Sequence, residues 1–196
     1  MRKLFMLSAG ALLLATTLTA NAGAEELRGR LALTGKIGVI NPAKSELDTP
    51  QGTMVVSTDA GLTGGVGLMF GVDENVAVEL EVSRASFHTS SFGTAQITDV
   101  SVGAQYRFPE RQRLVPYLGA GMDVLVNDLG NRYTNTTVGA HLSAGVDCIL
   151  NRQASLVLEA KGVESFSANV DTPSGQNGEF DPTNLSVTVG ARFFFN

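Results

Sequence analysis

Along most of this chain, apolar and polar residues alternate one by one. The closing stretch puts Leu185, Val187, Val189, Ala191, Phe193 and Phe195 on one side of an extended backbone, and Ser186, Thr188, Gly190 and Arg192 on the other. Successive side chains of a strand point to opposite faces, so this period of two predicts β-structure with two chemically different faces. Seven further segments repeat it. The first, about 27–40, sets Leu27, Gly29, Leu31, Leu33, Gly35, Ile37 and Val39 against Arg28, Arg30, Ala32, Thr34, Lys36 and Gly38. The second, about 60–71, alternates Leu62, Val66, Leu68 and Phe70 with Thr63, Gly65, Gly67 and Met69. After a Val72–Asn75 turn, the third opposes Val76, Val78, Leu80 and Val82 to Ala77, Glu79, Glu81 and Ser83. The fourth, about 97–108, carries Val100, Val102, Ala104 and Tyr106 against Asp99, Ser101, Gly103, Gln105 and Arg107. The fifth starts near Pro116 and has Tyr117, Gly119, Gly121 and Asp123 on its polar side. The sixth has Thr137, Gly139, His141, Ser143, Gly145 and Asp147 there, and the seventh Ser155, Glu159 and Lys161.

The connections sort by length. Long ones, about 41–59, 88–96, 127–136 and 163–184, follow odd strands, and short ones follow even strands. Outer-membrane barrels show this asymmetry, with short periplasmic turns and longer outer loops. The polar faces together collect Arg28, Arg30, Lys36, Arg107, Lys161 and Arg192 with Glu79, Glu81, Asp99, Asp123, Asp147 and Glu159. So many charges do not form the core of a soluble sandwich, because a buried ion without its partner is strongly destabilising. The opposite faces carry almost none. The pattern therefore predicts an all-β fold, an eight-stranded antiparallel transmembrane β-barrel of outer-membrane type, apolar toward lipid and charged toward its lumen.

Composition narrows the setting. Met1-Arg2-Lys3 opens a short apolar stretch that ends in two small-x-small sites, Ala20–Ala22 and Ala22–Ala24. This predicts a signal peptide over 1–24, cleaved after Ala22 or Ala24, and a barrel over 25–196 in the bacterial outer membrane. No later stretch is apolar for long enough to make a membrane-spanning helix. A formal net charge of −5 argues against a nucleic-acid partner. The single cysteine, Cys148, has no intrachain partner and sits on an apolar face as a small hydrophobe.

Candidate chemistry is sparse. Gly61–Gly67 is glycine-rich but lacks the Lys-Ser/Thr ending and following helix of a phosphate loop. His141-x-Ser143 near Asp147 puts a base, a hydroxyl and an acid on one face. Nucleophilic catalysis needs these in mutual reach and open to substrate, whereas here they point into the lumen. Glu79 and Glu81 share a face without a sugar-sized cleft, and no metal-ligand spacing or cofactor motif occurs. The expectation is a protein that is not an enzyme and takes no metal or cofactor.

If odd strands rise from the periplasm, Arg28, Arg30, Arg107 and Arg192 gather near the periplasmic end with Glu79, Glu81 and Asp147. Such a charge network would close the lower lumen of a barrel barely wide enough for its own side chains. The expected upper lining is Thr34, Lys36, Ile40, Asp99, Asp123, Leu125, His141, Glu159 and Lys161, joined by Gly38, Thr63, Gly121, Thr137, Gly139 and Val163. That milder region could seat a small apolar guest.

Several stretches carry a family resemblance: Val115–Val126 with its P-Y-x-G-A-G opening, Thr137–Lys161 with G-x-D-x-x-x-N-R, the third strand within Gly71–Ser83, and the closing Asp181–Phe195 with its D-P start. In order and spacing they resemble the OmpW family of small outer-membrane barrels. Two details differ from that pattern: Asn127–Asn135 is a brief third loop, and the closing aromatic, Phe195, is penultimate. The resemblance implies an eight-stranded barrel whose narrow lumen admits small hydrophobic molecules from outside and releases them sideways into the membrane. It implies as partners outer-membrane lipids, those small hydrophobic molecules, and the barrel-assembly machinery that recognises the last strand during insertion. The alternative is a structural or adhesive barrel acting through its extracellular loops, with a lipid-modifying enzyme a distant third.

Overall fold

The computed structural model describes residues 27–42, 45–49, 52–56, 60–89, 93–108, 113–129, 133–165, 168–171, 177–180 and 183–195. The expected signal peptide and Asn196 lie outside the described residues. The strands are β1 (Leu31–Pro42), β2 (Ser45–Thr49), β3 (Gly52–Val56), β4 (Gly61–Gly71), β5 (Val76–Thr89), β6 (Gly93–Arg107), β7 (Leu114–Leu129), β8 (Tyr133–Asn151), β9 (Ala154–Ser165), β10 (Ala168–Asp171), β11 (Asn177–Phe180) and β12 (Asn184–Phe195). Eight of them close an antiparallel barrel in the order β1-β12-β9-β8-β7-β6-β5-β4. β1 makes the closure, with Leu31 opposite Phe195 on one side and Phe70 on the other. Closure leaves no strand edge unpaired, which is what lets a sheet stand in lipid. β2–β3 and β10–β11 are hairpins at the upper end, and β2 lies against β11.

The predicted faces hold. Leu62 is 75% exposed, Leu142 71% and Ile37 69%, so the large apolar side chains point out of the barrel. Near the lower end Phe70, Tyr106, Phe108, Phe193 and Phe195 also point outward, and Tyr106 meets Phe108 edge to face with ring centroids 5.3 Å apart. Such a ring of aromatics marks a membrane interface.

Two expectations about elements need correction. β1 begins at Leu31 rather than 27, because Gly29 takes a left-handed conformation (φ 77°) and turns the chain beneath the barrel. Gly29 N–H donates to the Gly71 carbonyl at 2.7 Å, and a Cβ on Gly71 would lie 1.9 Å from the Leu27 carbonyl oxygen, so the close approach needs glycine there. The second correction concerns the long connections. β5 runs to Thr89 with β6 starting at Gly93, and β7 runs to Leu129 with β8 starting at Tyr133. Much of 88–96 and 127–136 is therefore paired strand standing above the apolar belt. Cross-strand hydrogen bonds satisfy the backbone more fully there than a loop would.

Candidate functional site

The lumen is layered. At the lower end Leu27, Ala32, Met69, Ala77 and Phe194 form an apolar floor. They come from the inward parity of β1, β4, β5 and β12, with Leu27 folded in by the Gly29 turn.

Charge fills the middle. Arg192 on β12 is fully buried; its Nη1 donates to Asp147 Oδ2 at 2.7 Å, its Nε to Thr34 Oγ1 at 2.9 Å and its Nη2 to Glu79 Oε1 at 3.4 Å. Arg107 Nη2 donates to the same Asp147 oxygen, and Gln105 donates to Glu79 Oε2. The Tyr117 ring lies 5.6 Å from the Arg107 guanidinium and 5.8 Å from that of Arg192. Gly145 makes room for that ring, since a Cβ there would sit 2.3 Å from it. Tyr117 then donates its hydroxyl to Glu159 Oε2 at 2.7 Å and links this arginine cluster to a lysine cluster above. In the upper cluster Lys36 Nζ binds Glu159 Oε1 at 2.8 Å and also Glu81. Lys161 Nζ binds Asp99 Oδ2 and Asp123 Oδ1, each at 2.8 Å, and Ser101 Oγ at 3.1 Å. His141 Nδ1 lies 2.7 Å from Asp123 Oδ2.

Above the charges the lumen is apolar again: Phe87, Ile97, Leu125 and Val163 form one buried cluster, with Ile40 also buried at this level. Among the described residues, cavities of ≈ 30 Å³ and ≈ 20 Å³ reach the band. Each has room for one or two waters, not for an organic molecule.

The placement differs from the expected one at several residues. Arg28 is exposed on the turn below the barrel, outside the lumen. Arg30 stacks its guanidinium 4.6 Å from the Phe194 ring centroid, under the floor, and donates to the Arg152 carbonyl. Both follow from the Gly29 turn, which ends the alternation before it reaches them. Thr34 belongs to the arginine cluster, below the upper lining expected for it. Glu81 pairs with Lys36 in the upper cluster rather than with the arginines. Lys36 with Glu159, and Lys161 with Asp99, Asp123 and His141, form two ion groups rather than a mild lining, whereas Ile40 and Leu125 do line the apolar level. Among the described residues the lumen charge is unequal as a result: four cations, Lys36, Arg107, Lys161 and Arg192, face six carboxylates, Glu79, Glu81, Asp99, Asp123, Asp147 and Glu159.

Sequence reasoning passed over Tyr117, Gln105 and Met69, although the same inward parity places all three. His141, Ser143 and Asp147 do not assemble as a triad: the histidine bonds Asp123, and Asp147 is held by two arginines lower down. Among the described residues, no group of three or more His, Cys, Asp or Glu is placed to hold a metal.

The profile of the "Outer membrane protein beta-barrel domain" family matches residues 10–193. The chain belongs to this family. It is thus a bacterial outer-membrane barrel, and its short-turn end, with the floor and Phe195, is the periplasmic one. Among solved structures, OprG from Pseudomonas aeruginosa superposes with a TM-score of 0.71 at 16% identity, covering 89% of this chain and all of that one. The outer-membrane protein AlkL gives 0.60 at 17%, covering 92% and 97%. OmpW from E. coli gives 0.51 at 18%, covering 87% and 100%, in keeping with the resemblance read from the sequence. At such identities the likeness is one of fold. No curated protein sequence matches the chain at a significant level.

Proposed function

We propose that this barrel takes up small apolar molecules from the cell exterior and releases them sideways into the outer membrane. The observation that carries the reading is the order of the lumen layers. An apolar level toward the outer end (Ile40, Phe87, Ile97, Leu125, Val163) rests on a filled band of ion pairs. An apolar guest would gain by parting the packed side chains of the first and would lose heavily by displacing the second. The favourable exit is therefore through the wall.

Gly64 and Gly65 of β4 leave a stretch of wall bare of side chains. These adjacent glycines, one facing out and one in, put no side chain on either face, and both border the larger cavity. A Cβ on Gly65 would meet Ser83 Cβ at 2.7 Å, whereas on Gly64 the nearest atom would be 3.5 Å away, so bulk is tolerated on the outer face. Uptake of an apolar probe by cells carrying the protein should exceed that of cells without it, and Gly64→Leu should reduce the difference while the barrel still folds. Equal uptake with and without the protein would refute the transport reading. Unchanged uptake in Gly64→Leu would refute this exit.

A further inference from the structure

Among their described residues the barrel strands carry five lysines and arginines, and four of them, Lys36, Arg107, Lys161 and Arg192, are buried in the lumen. The fifth, Arg84 on β5, has the opposite parity and is exposed on the outer wall. Its guanidinium donates to the neutral Gln96 Oε1 on β6, and no carboxylate among the described residues pairs with it. A cation on a barrel's outer face is costly at mid-depth and is tolerated where the hydrocarbon ends, because head groups and water reach it there.

Strand register puts Arg84 at that border. Below it Val82 faces Val100 and Leu80 faces Val102, all exposed to the membrane. Arg84 itself faces Thr98, and above it Ser86 faces Gln96, so the outer wall of β5 and β6 turns polar at this level. β5 rises from the periplasmic end, which makes this the border of the outer leaflet. That leaflet of a bacterial outer membrane is largely phosphorylated glycolipid. A phosphate matches the planar fork of an arginine, and an amide and a hydroxyl beside it suit the hydroxyls of an attached sugar.

The β4 side of Arg84 is bare. Gly64 lies directly opposite it and puts no side chain over the guanidinium. Exposed Leu62, Val66 and Ile37 surround Gly64 and leave a shallow apolar trough, down which an acyl chain can run from a head group held at Arg84. An unneutralised cation, polar neighbours at sugar height and an apolar trough beside them fit one occupant. We propose that Arg84 binds a phosphate of the outer-leaflet glycolipid, with Gln96 and Thr98 against its sugar. The site is on the outer surface and its test reads bound lipid rather than uptake, so it stands or falls apart from the transport reading.

Native mass spectrometry of the folded protein, released from maltoside micelles, tests this. The protein is incubated with diphosphoryl lipid A, with lipid A stripped of its phosphates, or with phosphatidylglycerol. One diphosphoryl lipid A should stay bound, and the other two lipids should be lost more readily. Arg84→Gln should weaken that retention about tenfold, the worth of one charge-assisted hydrogen bond. Equal retention of phosphate-free lipid A would mean that acyl chains alone hold the lipid, and would overturn the proposal. Equal retention of phosphatidylglycerol would make the site one for any anionic lipid, and unchanged retention in Arg84→Gln would place the phosphate elsewhere; either overturns it too. The comparison of lipids needs no variant, so it decides even where Arg84→Gln does not fold.

Discussion

Asp147 holds the lower lumen together. It is fully buried, and one of its oxygens accepts from both Arg107 and Arg192. Asp147→Ala should cost about 3–5 kcal/mol in denaturant unfolding from detergent or lipid, because it strands buried arginines rather than merely deleting an attraction. Arg28→Ala, on the exposed turn, should stay within about 0.5 kcal/mol in the same assay. Gly145 makes a second residue-scale case. A methyl there must displace the Tyr117 ring that joins the two clusters, so Gly145→Ala should destabilise by about 1–3 kcal/mol, as overpacking does.

Within a single strand, β8 shows how both solvents act on neighbouring positions. Leu142 is 71% exposed to the lipid side, whereas Ser143 is 9% exposed in the lumen. Leu142→Arg should lose about 2–4 kcal/mol of folding stability in bilayers, the cost of a guanidinium at mid-depth on a barrel's outer face. Ser143→Ala should change stability by less than about 1 kcal/mol, since Ser143 lies among polar lumen groups rather than in lipid. Equal losses in the two variants would show the register of β8 to be inverted. Strand extension is the other lesson at this scale. β5, β6, β7 and β8 continue past the apolar belt, where the alternation in the sequence is too weak to read.

For the whole molecule, closure and filling are the decisive properties. A closed eight-stranded barrel resists detergent unfolding until heated, so unboiled and boiled samples should migrate differently on a gel, both before and after reconstitution. Identical mobility would count against a folded barrel. A lumen filled by paired ions should also conduct poorly, and planar-bilayer recordings should show small, infrequent openings. Neutralising Glu79 and Glu81 together removes partners from Arg192 and Lys36 and should raise that leak. Large steady conductance in the unmodified protein would refute the plug.

The sequence by itself determined the barrel and its two faces. Side-chain parity is a local property, and a strand with lipid outside and charge inside writes that difference into every second residue, as in Val138–Asp147 and Leu185–Phe195. The same parity brought most of the lumen charges onto one surface. Tertiary structure alone decided which charges meet and at what level. The Gly29 turn, taken against Gly71 of another strand, removed Arg28 and Arg30 from the lumen and left the band short of positive charge. Partners such as Arg192 and Thr34 are 158 positions apart in sequence and meet only because β1 closes on β12. Stagger between strands sets depth, and it is fixed by hydrogen bonds across the sheet that no single strand encodes.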